Sequence, residues 1–213
     1  MNAGAWLLLA AAAAVAVVDW IAVARRVRRW EHVAKPAVLV LLIGLALVID
    51  PVRSAAQPWF VAALVASLVG DVLLMLPGAF VPGLGAFLLA HIAYIVGLDA
   101  DDGGTAFALV VSTAVVGSAA FLVGRRLLGG MAGRGGSHER FPIVVYMTVI
   151  AGMVASALAT GRVLPALGAL LFMASDSLIG WRRYVREQAW MPVAIMAAYH
   201  VGQALLVLSL AAG

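Results

Sequence analysis

Long apolar runs divide the whole sequence into segments with the length of membrane-crossing helices. Such a helix needs about 20 apolar residues to cross the hydrocarbon core of a bilayer. The predicted spans are 5–24, 34–49, 58–77, 83–98, 105–124, 141–160, 164–181 and 189–211. Proline, glycine or charged residues separate them, as expected for turns between helices. The sequence therefore predicts an all-α, polytopic transmembrane bundle of eight helices that forms a single transmembrane domain, residues 1–213.

The composition is that of a membrane protein. Of the 213 residues, 65% are hydrophobic and 11% are charged, whereas a soluble domain has about a quarter charged residues. The absence of cysteine excludes disulfides, thiolate nucleophiles and cysteine-ligated metals. Lys35 is the single lysine among 14 basic residues, and the abundance of alanine, glycine and arginine suggests a bacterial gene. We therefore expect a multi-pass protein of the bacterial cytoplasmic (inner) membrane.

Basic residues are concentrated on one side of the predicted bundle. The segments after the first, fifth and seventh runs contain every lysine and arginine except Arg53 and Arg162. By the positive-inside rule these segments are cytoplasmic, which places the N- and C-termini outside. This distribution explains the net charge of +4 better than nucleic-acid binding does. The arginines that follow the first run, with none before it, argue against a cleaved signal peptide.

Three aspartates lie within the apolar runs. A carboxylate at the centre of a bilayer helix costs ~2.5 kcal/mol or more, so an acid retained there is first of all a functional hypothesis. Asp71 and Asp176 are deep, and no lysine or arginine shares their helix midsections. Pairing with a neighbouring helix is the alternative explanation for both. Asp19 lies six residues before Arg25, and we expect its side chain to extend toward water and Arg25.

Polar residues from six helices are predicted to share one depth. At 1.5 Å per residue, Asp71 and Asp176 both lie ~9 Å from the cytoplasmic boundary, and polar residues of the oppositely directed helices lie ~9 to 14 Å from it. The sequence therefore predicts a polar chamber that opens toward the cytoplasm. The supporting residues assigned to it are Lys35 at the rim, Ser67, His91, Tyr94, Tyr146, Ser175, Tyr199 and Gln203. Taken singly, each tyrosine is better explained by packing, and each histidine by interhelical hydrogen bonding, than by chemistry.

Two carboxyl groups at one depth favour general acid–base chemistry. Neighbouring acids in a poorly hydrated site do not both ionise easily, so one can keep a proton while the other orients water. The sequence has no Gly-x-Ser-x-Gly elbow, P-loop or His-Glu-x-x-His motif, which leaves serine hydrolases, nucleotide hydrolysis and zincins without support. A metal site formed by Asp71, Asp176, His91 and His200 is an open alternative, although no ligand pair has i, i+4 spacing. We predict no metal and no cofactor.

Five short motifs carry a resemblance to a known family. In chain order they are Lys35-Pro36, Ser67-x-x-Gly70-Asp71-x-x-Leu74-Met75, Phe87-x-x-Ala90-His91-x-x-Tyr94, Ala174-Ser175-Asp176-x-Leu178 and Tyr199-x-x-x-Gln203. Together they resemble the YhhN family of lysoplasmalogenases over nearly the whole chain. The resemblance implies that Asp71 and Asp176 are catalytic. His200 departs from the family pattern, which has a tyrosine or another apolar residue there.

The resemblance implies hydrolysis of the 1-alkenyl ether bond of lysoplasmalogens to a fatty aldehyde and a glycerophospho-ethanolamine or -choline. Vinyl ethers hydrolyse through protonation of the β-carbon and attack of water on the resulting oxocarbenium ion, which suits an aspartate pair without a metal. Which aspartate supplies the proton is left open. Lys35, Arg182 or Arg183 would hold the phosphate of the lysophospholipid, and an apolar channel its chain. We expect no nucleic acid and no obligate protein partner.

Other functions also fit acids inside a membrane. A small proton-coupled transporter would use them as a relay, but the outer half of the predicted bundle has almost no polar residues within its helices. A metal-dependent intramembrane lipid hydrolase would need a cluster of ligands. A scaffold without chemistry would use the aspartates for helix packing only.

Overall fold

Eight long helices make up most of the structure, a computed structural model that describes residues 1–100, 105–132 and 139–212. Each is long and apolar enough to cross a membrane, which confirms the predicted all-α, multi-pass bundle. The orientation of the termini stays a prediction. In chain order the helices are α1 (Ala3–Ala24), α2 (Arg28–Val48), α3 (Gln57–Met75), α4 (Phe80–Asp99), α5 (Ala106–Ala132), α6 (Arg140–Ala159), α7 (Val163–Tyr184) and α8 (Met191–Leu208), followed by a 3-10 turn at Ser209–Ala211.

Two helices are longer than the sequence predicts. α2 begins at Arg28 rather than at residue 34, because its first turns are polar and do not add to the apolar length. Pro36, which the prediction places in the first turn, therefore lies inside the helix. α5 ends at Ala132 rather than at residue 124, so the paired arginines at 125–126 are helical. The glycine-rich sequence from Gly129 to Ser137 predicts a flexible loop between the fifth and sixth runs. This prediction was wrong for residues 129–132, which are helical, and the rest of that segment lies outside the described residues.

The helices pack in sequential pairs. The closest packing is between α1 and α2, α3 and α4, α5 and α6, and α7 and α8. Pro77 and Gly78 form the predicted turn between α3 and α4, where Gly78 has a φ of 76° that glycine adopts without steric cost. Gly161, with a φ of 68°, has the same position between α6 and α7. Consecutive helices therefore run in opposite directions, as the charge distribution requires.

Glycines allow α7 and α8 to cross closely. A Cβ atom on Gly168 would lie 2.9 Å from the carbonyl oxygen of Gly202, and a Cβ atom on Gly202 would lie 2.9 Å from the carbonyl oxygen of Gly168. Separations this short are not compatible with a side chain, so the crossing requires glycine on both helices. The crossing holds the helix that carries Asp176 against the helix that carries Tyr199.

Aromatic rings fill the centre of the bundle beside the buried polar residues. Phe172 of α7 is fully buried, and it makes edge-to-face contacts at centroid distances of 4.7 to 6.5 Å. Its partners in these contacts are Phe87, His91, Tyr94 and Tyr199. Phe172 thus packs α7 against α4 and α8 at the level where the polar side chains meet.

Candidate active site

Asp71 of α3 forms an ion pair with Lys35 of α2. The Lys35 Nζ atom lies 3.0 Å from Asp71 Oδ1, and the Tyr199 hydroxyl of α8 donates a hydrogen bond of 2.8 Å to Asp71 Oδ2. Asp71 is fully buried and Lys35 is 7% exposed, so bulk water hardly reaches the pair. Lys35, predicted at the rim of the chamber, therefore extends inward to the carboxylate. Three helices fix the position of this carboxylate.

A second hydrogen-bonded set adjoins Asp71. Gln203 Nε2 donates to Ser67 Oγ at 3.0 Å, and the Tyr94 hydroxyl donates to Gln203 Oε1. Ser67 precedes Asp71 by one helical turn, and Gln203 follows Tyr199 by one turn, so the two sets share the facing sides of α3 and α8. All these side chains are buried. The amide of Gln203 links α3, α4 and α8 and holds the helices that position Asp71.

Asp176 of α7 has different partners. The Tyr146 hydroxyl of α6 donates to Asp176 Oδ2 at 2.5 Å, and His91 Nε2 of α4 lies 3.6 Å from the same oxygen. The Asp176 side chain is 10% exposed and has no lysine or arginine partner among the described residues. Asp71 has a cation beside it, whereas Asp176 accepts a hydrogen bond from a tyrosine and lies near an imidazole.

Two adjoining cavities reach the site. The apolar cavity has a volume of about 830 Å³, counting the space at its mouth, and is bounded by α3, α4, α5, α6 and α7. Asp176 and Tyr146 are the polar groups in its wall closest to the site, and most other lining side chains are aliphatic or aromatic. The polar vestibule, with a volume of about 1000 Å³, is lined by Lys35, Glu31, Arg182, Arg183 and Glu187 together with apolar residues. The two cavities share the side chains of Leu74, Phe80 and Ile179.

The two arginines at the end of α7 both line the polar vestibule, but their partners differ. Arg183 lies 2.8 Å from Glu139, and its guanidinium lies 4.0 Å from the ring centroid of Phe80. Arg182 pairs with Glu187 at 2.7 Å, and both side chains are exposed. An exposed ion pair contributes little to stability, so Arg182 can exchange Glu187 for an anionic ligand. Arg183 is held by a less exposed carboxylate and an aromatic face.

The structure gives Asp19 and Ser175 other surroundings than the sequence predicts. Asp19 is fully buried, so the prediction that it extends to water and Arg25 was wrong. The α1 helix packs on α2 and α8, and the face that carries Asp19 is covered by them. The Ser175 hydroxyl donates to the carbonyl oxygen of Ile195 at 3.1 Å, so it joins α7 to α8. Ser175 thus supports the site through helix packing.

The two histidines considered as metal ligands, His91 and His200, occupy separate environments. His200 Nδ1 accepts a hydrogen bond of 3.1 Å from Trp20 Nε1 of α1, whereas His91 lies beside Asp176. Across residues 1–100, 105–132 and 139–212, no three histidine, aspartate or glutamate side chains are grouped as metal ligands.

Sequence reasoning missed two residues near the site. Phe172 packs against the rings around Asp71 and Asp176, and its position one helical turn before Asp176 was a usable signal because such residues share a helix face. Glu139 precedes α6 and reaches Arg183 across the fold. Glu139 gives no comparable signal, because it lies before α6 in a segment with no periodic apolar pattern.

Comparison with known proteins decides the family. The YhhN family model matches residues 30–210. The chain belongs to the YhhN family. Proteins named lysoplasmalogenase in Mycobacterium bovis and Mycobacterium tuberculosis are each 34% identical to it over 181 residues, covering 80% of the chain and 66% of the relative. Lysoplasmalogenase TMEM86B of Homo sapiens is 32% identical over 149 residues, covering 69% of the chain and 61% of that protein.

The family model covers only part of the chain, and the chain covers only part of its relatives. The chain spans just under two thirds of the length of the mycobacterial relatives. The family match includes Asp71, Asp176 and all their partners described above, but it begins after α1. No solved structure gives a significant match to the chain. Asp19 and Trp20 are therefore supplied by a helix that the family match does not include.

Proposed function

We propose that this YhhN-family protein hydrolyses the vinyl ether bond of lysoplasmalogens, releasing a fatty aldehyde and a glycerophospho-ethanolamine or -choline. The observation that carries the proposal is that Asp176 lines an apolar cavity, while Lys35, the ion-pair partner of Asp71, lines the polar vestibule that adjoins it. The names of the mycobacterial and human relatives support the same reaction. The proposed location is a bacterial cytoplasmic membrane, with the site open toward the cytoplasmic side.

The two cavities match the two halves of a lysophospholipid. The alkenyl chain fits the apolar cavity, and the glycerophospho headgroup fits the vestibule, which has cationic side chains. The vinyl ether joins these halves, so it lies at the shared wall of Leu74, Phe80 and Ile179. Arg182 is the cation best able to bind the phosphate, because its exposed partner Glu187 is easily displaced.

Asp176 is the proposed general acid. It faces the apolar cavity, where the reacting carbon lies, and it has no cationic partner in the described chain, so the proton-bearing form is favoured. Transfer of its proton to the β-carbon forms a C–H bond and leaves an oxocarbenium ion. The Tyr146 hydroxyl, which donates to Asp176 Oδ2, stabilises the carboxylate produced by this transfer.

Asp71 is the proposed base. The Lys35 ammonium and the Tyr199 hydroxyl favour its ionised form and fix its orientation. Its carboxylate takes a proton from water as the water oxygen bonds to the oxocarbenium carbon, which gives a hemiacetal. In the collapse of the hemiacetal, Asp71 returns this proton to the departing glycerol oxygen, and the hemiacetal O–H proton passes to Asp176. Both aspartates then have their starting protonation states.

Product analysis tests this proposal. Purified protein is incubated with a lysoplasmalogen and with its saturated 1-alkyl analogue, and the products are identified by mass spectrometry. We expect aldehyde from the vinyl ether only, and in D₂O a single deuterium on the aldehyde α-carbon after immediate reduction to the alcohol. Asp71→Asn and Asp176→Asn should each abolish aldehyde release, whereas Asp99→Asn, at the exposed end of α4, should not.

Three outcomes would contradict the proposal. Cleavage of the saturated ether would exclude protonation of a vinyl carbon as the required step. Near-normal turnover by either active-site asparagine variant would remove the aspartate pair from the chemistry. Uptake of a solute into proteoliposomes without any aldehyde release would favour the transporter instead.

A further inference from the structure

Phe80, at the start of α4, is held on two sides by neighbouring side chains. The Arg183 guanidinium lies 4.0 Å from its ring centroid, and the ring of Tyr184 meets it edge-to-face at a centroid distance of 6.4 Å. Both neighbours belong to the last turn of α7. The proposed reaction gives Phe80 no role beyond its place in the wall that the two cavities share. These contacts fix the ring at that wall.

The two neighbours of Phe80 are themselves held by Glu139. Arg183 pairs with Glu139 at 2.8 Å, and its Nε atom donates to the Tyr184 hydroxyl at 2.9 Å. That hydroxyl in turn donates to Glu139 Oε2. Glu139 and Tyr184 are buried, and hydrogen bonds that involve a charged group are stronger than neutral ones. The three side chains therefore form a connected unit behind the ring of Phe80.

Leu74 of α3, a second residue of the shared wall, is also closely packed. A Cβ atom on Gly83 would lie 2.7 Å from Leu74 Cδ2, so the leucine fills the space that a side chain there would need. Gly83 follows Phe80 by three residues, so one turn of α4 carries both the ring and the hollow that receives Leu74. Phe80 and Leu74 thus bound the passage between the cavities from two helices, and both are held in place.

We propose that Phe80 is a specificity-determining residue that limits the passage between the two cavities to one hydrocarbon chain. The inference rests on the proposed function, in which the alkenyl chain lies in the apolar cavity and the headgroup lies in the vestibule. A lysoplasmalogen brings one chain and a small hydroxyl group to this wall. A lipid that also has an acyl chain on the second glycerol carbon brings two chains to it. With Phe80 fixed, only the single-chain lipid places its vinyl ether beside Asp176.

A second chain fits poorly in the vestibule. The charged side chains that line this cavity are Glu31, Lys35, Arg182, Arg183 and Glu187. A hydrocarbon chain among them would take water away from charged groups, which is unfavourable. The hydroxyl of a lysolipid, by contrast, can donate and accept hydrogen bonds there. The wall therefore discriminates by the number of chains, whereas the vestibule binds the headgroup.

The kinetic test compares a lysoplasmalogen with the 1-alkenyl-2-acyl lipid that has the same headgroup. In the wild-type protein, kcat/KM should favour the lysolipid by about a hundredfold or more. Phe80→Ala removes the ring, and this preference should fall by about tenfold or more because the two-chain lipid gains turnover. The matched control is Phe141→Ala, which removes a 78% exposed ring from the first turn of α6 and should leave the preference unchanged.

Arg183→Lys tests whether Arg183 acts through Phe80. Lysine keeps the positive charge, and with it any attraction to a phosphate, but it lacks the planar guanidinium that stacks on the ring. The preference for the lysolipid should therefore fall by about threefold or more, while KM for the lysolipid stays within about twofold of the wild-type value. An unchanged preference would overturn the role of Arg183 in holding the ring.

Binding without turnover separates this inference from the proposed function. Native mass spectrometry gives the Kd of a saturated 1-alkyl lysolipid and of its 1-alkyl-2-acyl counterpart, neither of which contains a vinyl ether. The wild-type protein should bind the single-chain lipid about tenfold more tightly or better, and Phe80→Ala should reduce this preference. Phe80→Leu, which keeps a smaller side chain in the wall, serves in both tests if Phe80→Ala does not fold.

Two outcomes would overturn the role of Phe80. One is a wild-type binding preference in Phe80→Ala or Phe80→Leu. The other is a loss of lysolipid turnover in these variants without any gain on the two-chain lipid, because the ring would then serve only to stabilise the fold. If the wild-type protein releases no aldehyde from either lipid, the proposed function fails, and the Kd values still report whether Phe80 selects a single chain.

Discussion

Removing the Tyr146 hydroxyl tests the assignment of Asp176 as the acid. Tyr146→Phe keeps the ring, whose edge-to-face contact with His91 has a centroid distance of 5.3 Å, and deletes only the donor 2.5 Å from Asp176 Oδ2. A hydrogen bond to a charged group contributes about 1.5–3 kcal/mol. This bond favours the ionised carboxylate, which forms as Asp176 gives up its proton. The variant should therefore be a weaker acid catalyst.

The expected magnitude follows from how much charge has developed at the transition state. If about half of the proton transfer is complete there, about half of the bond energy is lost, roughly 0.8–1.5 kcal/mol, which corresponds to about a four- to twelvefold change in rate. We expect kcat to fall by about this factor, with little change in KM, because the hydroxyl acts on the acid and not on the bound lipid.

The assay is the initial rate of aldehyde release, coupled to oxidation of NADH by an added alcohol dehydrogenase. The solvent deuterium isotope effect on kcat should grow in Tyr146→Phe, since proton transfer becomes more fully rate-limiting. Tyr94→Phe is the matched control, because its hydroxyl bonds to Gln203 and not to either aspartate. Wild-type kcat in Tyr146→Phe, or an equal loss in both variants, would refute the assignment of Asp176.

Two further predictions concern the apolar cavity and the helix crossing. Ala120→Phe places an aromatic ring in the apolar cavity from α5. It should lower kcat/KM for a long-chain lysoplasmalogen by about tenfold relative to a short-chain one. Equal losses for both substrates would show that the alkenyl chain binds elsewhere. Gly202→Ala forces a Cβ atom against the Gly168 carbonyl and should destabilise the protein by about 1–3 kcal/mol in thermal unfolding. The control is Gly85→Ala, which should not destabilise the protein because no atom lies within 4 Å of a Cβ at that position. Similar Tm values for the two variants would contradict the close crossing.

The sequence predicted that polar residues from different helices lie at the same depth in the bundle. The rise per residue fixes the depth of each residue once the ends of its helix are known. Asp71 contacts Tyr199 and Asp176 contacts Tyr146, although the partners are 128 and 30 residues apart in the chain. The spacing of Gln203 one turn after Tyr199 likewise predicted that both side chains lie on one face. The roles of these residues in chemistry stay predictions.

The rotation of each helix could not be predicted in the same way. α1 is alanine-, valine- and leucine-rich on every side, and lipid is as apolar as the protein interior, so hydrophobic periodicity does not show which face turns inward. The burial of Asp19 depends on that rotation. The ion pair of Lys35 with Asp71 depends in the same way on the rotation of α2, because a lysine turned outward on that helix would lie at the rim of the chamber.

Helix ends were missed where polar residues continue a helix beyond the apolar run. The first turns of α2 contain Arg28 and Glu31, which on their own indicate a loop, and the end of α5 contains paired arginines and glycines. At the end of α5, Met131 is fully buried in a cluster with Ile143 and Tyr184, which holds this end in helical form. The partner of Arg183, Glu139, was unpredictable for the related reason that it comes from a segment with no periodic pattern.

The shared wall of Leu74, Phe80 and Ile179 also bears on how the proposed reaction ends. Cleavage at this wall leaves an oily aldehyde on one side and a water-soluble phosphodiester on the other. The first can diffuse sideways into the leaflet, and the second can escape into the cytosol, so the fragments separate into different phases as soon as the bond breaks. Dilution in two immiscible media would then make recombination rare, and the bundle would need no moving gate to drive the hydrolysis forward.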